Sequence, residues 1–524
     1  MKKGNKLLFV LISLTAITMT GCGSQDVPTR PITNVVDKYD HKYDDMDITA
    51  IDGKYSSITY KDYGYNSYYN THFCPSTGNP KLLIVPVWFD DSENYIIQKE
   101  NVRDDIRKAY LGTEEETGWE SVSTYYYKDS FGNLNLTGVV TDWYECGFDS
   151  KYFYSDPTLS KTTSLVRSAV TWYKTNYDKN MKSFDSDGDG YLDGVILIYA
   201  APDYQNISID GDNLWAYTYW LMNSVPSVNN PTPCPFFWSS YDFLYSHGED
   251  AYNRTGYSSF GSGDTSHCIV DSHCLIHEMG HVLGLQDYYD YSGAGAPSLS
   301  FSMQDHNVGA HDPFSRYSLG WVKAYHPLQT EKVTITPIED GGQVVVLSNH
   351  GEKFGSPFDE YLVIELYTPT GLNEHDCEYA YRYYHAGPKQ AGIRLWHIDS
   401  RLYSANTRSL TGLPSKGQVV AATSNTTSGE RAVTLAGSAA YNQLKLLRSG
   451  YKQYDIYGDI TVDGRNKTWF SSVDLFKTGD YFTMHNYRAQ FPRRELINSG
   501  KELGWSIYFD EVTSESATIT LIKE

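Results

Sequence analysis

The chain has 524 residues, 40% of them hydrophobic and 20% charged, a globular composition too long for one core, so two or three domains are expected. Its formal charge of -21 argues against nucleic acid as a partner, because phosphate binding needs a basic face. The 46 tyrosines read first as half-buried amphipathic side chains of a β-rich protein, with glycan binding as the other reading.

Lys2, Lys3 and Lys6 precede the apolar run LLFVLISLTAITM, which has signal-peptide length and is short for a membrane span. The run ends in MTGCGS, which resembles a bacterial lipobox with Met19 where that pattern prefers leucine. The resemblance implies removal of residues 1–21 and acylation of Cys22. The lipid would tether the protein to a bacterial membrane outside the cytoplasm, with plain secretion as the alternative. Residues 22–75 are polar and read as a tether and candidate propeptide. Setting Cys22 aside leaves Cys74, Cys146, Cys234, Cys268, Cys274 and Cys377, an even set that can form disulfides in fifteen ways in an exported protein.

Residues 76–325 alternate strand and helix signals. KLLIVPVWFDD, Lys81 to Asp91, reads as a strand. A helix end, a turn at Gly132 and Asn133, and a strand from Leu136 to Val140 follow. Asp156 to Tyr177 has apolar residues at helical spacing, and Gly194 to Ala200 reads as a buried strand. Beyond residue 326 the runs EKVTITPI, GQVVVLSN, EYLVIELY, AGIRLWHID and SATITLIK are of strand type and separated by turn residues. The expected class is α+β, with a β-sandwich-like region over 326–524.

DSDGDGYLDG places Asp185, Asp187, Asp189 and Asp193 at alternating positions, with the Tyr191 carbonyl at position seven and Gly190 at six. That is the start of an EF-hand-type calcium loop, although position twelve is Ile196 instead of glutamate. The bland alternative is a solvated acidic turn.

CLIHEMGHVLGLQDYYD, Cys274 to Asp290, carries the chemistry. Residues four apart share a helix face, so His277 and His281 can aim at one metal ion. Glu278 sits where its carboxylate can take a proton from a water activated by that ion and return it to a leaving amine. Gly284 can adopt the left-handed conformation that turns the chain after the helix, and Asp287 follows by three residues as a third ligand. The spacing His-Glu-x-x-His-x-x-Gly-x-x-Asp is that of the metzincin signature with aspartate in the last place. A bare His-Glu-x-x-His arises by chance in such a chain on the order of one time in fifty. Fixing the glycine and aspartate lowers that roughly a hundredfold further, so the stretch reads as a zinc site. Met303 is the candidate methionine of the turn beneath the metal, against the alternative of a core methionine. Asp290 reads as a turn residue or as a support to the ligands.

HEMGHVLGLQDYYD with DPFSRYSLGW, Asp312 to Trp321, resembles the immune inhibitor A family of bacterial zinc metallopeptidases. PSTGNPKLLIVPVWFDD, STYYYKDSFGNLNLTG and FDSDGDGYLDGVILIYA upstream are similar to that family, as are EYLVIELY, GIRLWHID and ELGWSIYFDEV downstream. The resemblance spans about residues 75 to 524. It implies a metzincin-like zinc peptidase domain over 76–325 and a secreted or surface endopeptidase acting on proteins or peptides. It also implies one zinc on His277, His281 and Asp287, with Glu278 as the catalytic residue. Tyr288, Tyr289, His306 and His311 are candidates for stabilising the oxyanion that such chemistry forms. Cys74 is a candidate propeptide cap on the metal, and His397 with Asp399 reads as buried structure. The rival reading is a non-catalytic surface lipoprotein that binds host protein or glycan around a structural zinc.

Overall fold

The computed structural model describes residues 39–46, 53–56, 72–207, 211–245, 267–289, 297–341, 343–381, 384–401, 403–404, 409–410, 442–450, 460–462, 465–467 and 469–524. Cys22 and Asp290 lie outside them, as do the signal segment and most of the expected tether. Residues 41–524 form one compact unit and residues 1–40 another. The described residues combine helices with mixed sheets in an α+β architecture, and none of their helices is long and apolar enough to cross a membrane.

The strands of the first half are β1 (Gly53–Ser56), β2 (Lys81–Trp88), β3 (Thr137–Val140), β4 (Tyr144–Glu145), β5 (Val195–Tyr199), β6 (Tyr217–Trp220) and β7 (Pro235–Ser240). Its long helices are α1 (Lys99–Leu111), α2 (Val122–Asp129), α3 (Ser160–Asn176) and α4 (His273–Val282). One sheet runs β3-β2-β5-β7-β6, parallel except for β6, which is antiparallel to β7 at the edge; β4 continues β3's side of β2.

Both faces of β2 are covered, which explains its nearly unbroken apolar sequence. Leu83, Val85 and Val87 join a core with Leu165, Val166, Ala169 and Val170 of α3. Leu82, Ile84 and Trp88 join the opposite core with Val102 and Ile106 of α1, Tyr125 and Tyr126 of α2, and Leu275 and Ile276 of α4. Pro86 is tolerated inside this central strand. The carbonyls of Ile84 and Trp88 accept from Thr141 and Cys146 on one edge, so Pro86 faces the interval between β3 and β4. Helix α1 was not among the expected elements. Its stripe of Val102, Ile106, Ala109 and Tyr110 lies among eight Lys, Arg, Asp, Glu and Asn side chains, which mask the helical period.

The expected β region is present. Strands β8 (Ala324–Pro327), β9 (Glu331–Ile335), β10 (Val344–Leu347), β11 (Glu360–Tyr367) and β12 (Gly392–Asp399) follow, then Leu444–Leu447, Tyr481–Phe482, Trp505–Val512 and Ala517–Lys523. One sheet orders β1, β8, β10, β11, β12 and Leu444–Leu447; a second orders Tyr481–Phe482, Trp505–Val512, Ala517–Lys523 and β9. Leu362, Ile364 and Leu395 of the first meet Ile507, Phe509, Ile519 and Leu521 of the second in one core. The other face of the first sheet, with Tyr361, Val363 and Trp396, packs on Tyr288, Phe301, Phe314 and Tyr317. Strands β11 and β12 are therefore buried along their whole length, and the sheet braces the chain that follows α4.

Two pieces of residues 22–75 are built into these layers. Strand β1 pairs antiparallel with β8, and Cys74 N donates to Val282 O at the end of α4 (2.9 Å). No disulfide joins the described cysteines, so none of the pairings that an even set allows is formed among them; Cys74 and Cys274 lie in one core, Cys377 in another.

Candidate metal centre

Helix α4 is buried almost all round, with only His281 half-buried. At Gly280 a methyl group would fall 2.1 Å from Gln304 Oε1, so a larger residue there would push the Gln304 amide aside. Past Leu283 the chain turns at Gly284, where φ is +109°, and returns Asp287 to the helix face.

Three donor atoms converge there. His277 Nε2 and His281 Nε2 are 3.1 Å apart. Asp287 Oδ1 is 3.0 Å from the first and 3.2 Å from the second. His277 Nδ1 donates to Met303 O (2.8 Å) and His281 Nδ1 to Leu285 O (2.9 Å). These bonds place a proton on each Nδ1 and turn both Nε2 atoms toward each other and a carboxylate, where a metal would displace any proton held there. Such a set fits a cation, and nitrogen with carboxylate oxygen suits zinc among other transition metals. Burial raises the Asp287 carboxyl, but His281 and His277 outweigh it and hold it well below the usual carboxylate range. Burial also opposes charge on His281, yet the Asp287 carboxylate pushes it up to about 9.

Glu278 lies beside these donors, and Thr218 of β6 is 3.0 Å from both its Oε2 and its main-chain carbonyl. Burial raises its carboxyl against the pull of His281 and His277. His277 and Glu278 open on a cleft of about 350 Å³ walled by Trp215, Phe243, Tyr289 and Tyr384. Thr218, Trp215, Phe243 and Tyr384 are not legible in the sequence, because they come from segments far from the helix in the chain.

The oxyanion candidates divide. Tyr289 and His306 line the cleft. Burial, then the Asp287 and Glu278 carboxylates, keep the Tyr289 phenol well above its ordinary value, so it remains a hydrogen-bond donor at neutral pH. Tyr288 is buried with its hydroxyl on Ser315 Oγ (2.9 Å), and His311 is buried between Asp129 Oδ2 (2.7 Å) and Gln304 Oε1 (3.1 Å). Met303 begins a one-turn helix, Met303–His306; its side chain is in the core and its carbonyl orients His277. The Cys74 thiol, raised well above its ordinary value by burial, contacts Pro75 O and forms no cap on the metal donors. His397 Nε2 meets Glu360 Oε1 (3.0 Å) and Asp399 holds Arg401, both as buried structure.

In the acidic loop, carboxylate oxygens of Asp185, Asp187 and Asp189 lie within 4.8 Å of one another. Asp193 stands apart from them, a correction to the expected ligand set. Its oxygens accept from Lys81 N (2.8 Å) and from Ser186 N and Oγ (3.0 Å each), which satisfies a buried carboxylate at the start of a strand. Tyr191 stacks on His72 at 4.0 Å and donates its hydroxyl to Ser224 O. His72 also meets Asp189 Oδ2 at 3.3 Å.

Two buried acids elsewhere tie the helices to the site. Arg316 Nε and Nη2 donate to Asp129 Oδ1 (2.9 and 2.7 Å) and Nη2 to Glu339 Oε1 (2.9 Å), linking DPFSRYSLGW to the end of α2. Compared with protein-family models and with curated proteins, the chain matches none.

Proposed function

We propose that the protein is a zinc-dependent endopeptidase of the immune inhibitor A type with a metzincin-like catalytic domain. The observation that carries this reading is the convergence of His277 Nε2, His281 Nε2 and Asp287 Oδ1 within 3.2 Å of one another, with Glu278 beside them on a cleft. Zinc bound there supplies Lewis acidity, which acidifies water and polarises a carbonyl.

The residues of the chain do the rest. Glu278 takes the proton of the attacking water and delivers it to the leaving amine. Thr218 and the helix hold that carboxylate in place. Tyr289, whose hydroxyl hydrogen-bonds Asp287, and His306 are the cleft residues from which a developing oxyanion could draw a hydrogen bond. The cleft walls shield the reaction from bulk water and receive a side chain of a protein or peptide substrate. Calcium on Asp185, Asp187 and Asp189 belongs to the same proposal as a brace. So does a lipid on Cys22 that anchors the protein outside the cytoplasm; Cys22→Ser should then move it from the membrane fraction to the medium.

Digestion of a proteome-derived peptide library, with and without a zinc chelator, tests the reading. Zinc-dependent internal cleavage supports it. Bound zinc without any cleavage would favour the non-catalytic lipoprotein.

A further inference from the structure

We propose that Cys268, Asp271, His273 and His375 form a second, structural metal site that takes zinc. Donor atoms of Cys268, Asp271 and His273 all lie within 4.8 Å of one another, and all three residues are buried. His375 Nε2 adds a fourth, 3.7 Å from Cys268 Sγ. Bond lengths of about 2.3 Å to sulfur and 2.1 Å to nitrogen put two tetrahedral ligands roughly 3.6 Å apart, so this separation is that of ligands sharing one ion.

His273 carries the second argument. Its Nε2 lies 3.1 Å from Asp376 Oδ1, and the other Asp376 oxygen accepts from Gly309 N. A carboxylate that holds one ring nitrogen turns the other toward a metal, the usual support for a histidine ligand. That other nitrogen, Nδ1, is 2.8 Å from Asp271 Oδ1, which also accepts from His273 N (3.0 Å); a bound ion would take the place of the proton in the ring contact. The imidazole is clamped between Trp119, stacked at 3.9 Å, and Tyr381, stacked at 4.3 Å. Trp119 also stacks on His375 at 5.4 Å. Cys268, Asp271 and His273 are buried, and His375 is half-buried. One thiolate, two imidazoles and a carboxylate make a set that suits zinc and leaves no place for substrate.

The site joins three segments. Cys268 and Asp271 are on the chain entering α4, His273 is the first residue of α4, and His375 is on the short helix Glu374–Glu378. An ion there fixes the start of the helix that carries His277 to the region that follows the peptidase segment. Nothing in this proposal requires peptidase activity, since it uses none of His277, Glu278, His281 and Asp287.

The full-length protein, stripped of metal and reloaded with zinc or cobalt(II), tests it. Two zinc ions per chain are expected in the parent, one in Cys268→Ser, and one in a His277→Ala, His281→Ala double variant. Cobalt should give a thiolate-to-metal charge-transfer band in the parent, in the double variant and in Cys274→Ser, lost only in Cys268→Ser. A double variant that binds no metal, or cobalt-loaded parent without that band, would overturn the site. Loss of the band in Cys274→Ser would do the same by assigning the thiolate to the cleft. The parent's cobalt spectrum decides even if Cys268→Ser fails to fold.

Discussion

The Thr218 hydroxyl on the edge strand β6 lies 3.0 Å from Oε2 of Glu278 on helix α4, and equally close to the carbonyl of the same residue. One side chain thus sets both the height of the helix and the direction of its carboxylate. On the proposed mechanism Thr218 positions the base without touching substrate. Thr218→Val keeps the shape and removes the bond. It should lower kcat roughly tenfold, about 1.5 kcal/mol for a hydrogen bond to a charged group. KM and zinc content should stay at parental values. Steady-state kinetics beside metal analysis checks this, and an unchanged kcat would remove Thr218 from the mechanism.

The contact between Asp129 and Arg316 gives a stability prediction. Burial raises the Asp129 carboxyl, but Arg316 and His311 outweigh it and leave its pKa lowered. A lowered pKa contributes stability that is present above the unfolded value of about 3.9 and lost as pH falls through the folded value. Asp129→Asn leaves Arg316 buried beside a neutral amide and should cost roughly 3 kcal/mol at neutral pH. The gap between variant and parent should close under acid conditions. Urea unfolding at neutral pH and near pH 3 measures both.

The acidic loop offers a third. If Asp185, Asp187 and Asp189 hold calcium, zinc-replete protein should melt higher with calcium than with a calcium-selective chelator. At about a hundredfold excess over Kd the difference is about 2.7 kcal/mol. Asp187→Asn should abolish the calcium-dependent part of Tm. Identical melting with and without calcium would leave the loop as an acidic turn.

How far the sequence reveals this molecule depends on what each feature needs. His277, His281, Gly284 and Asp287 are legible because a helix period and one turn fix their geometry within eleven residues. The strands β11 and β12 are legible because short runs rich in branched and aromatic residues are bounded by turn residues, although both also bury charged residues that pair across the strands, Arg394 with Glu365 and His397 with Glu360. Thr218 is not, since its role exists only once β6 lies across α4. The same holds for Asp129 and Arg316, which belong to separate motifs and meet only in the fold. Asp193 misleads because alternating acids look alike in sequence, whereas in the structure the start of β2 claims this one. Parity leaves the cysteine pairing open, and no disulfide joins the described cysteines.

The most direct test of the peptidase reading is Glu278→Gln, which keeps the shape of the side chain and removes its basicity. Zinc content and cleavage of a protein substrate should be measured on variant and parent together. The account predicts unchanged zinc and a loss of kcat of at least about a hundredfold. A variant that retains zinc and cleaves as fast as the parent would contradict it.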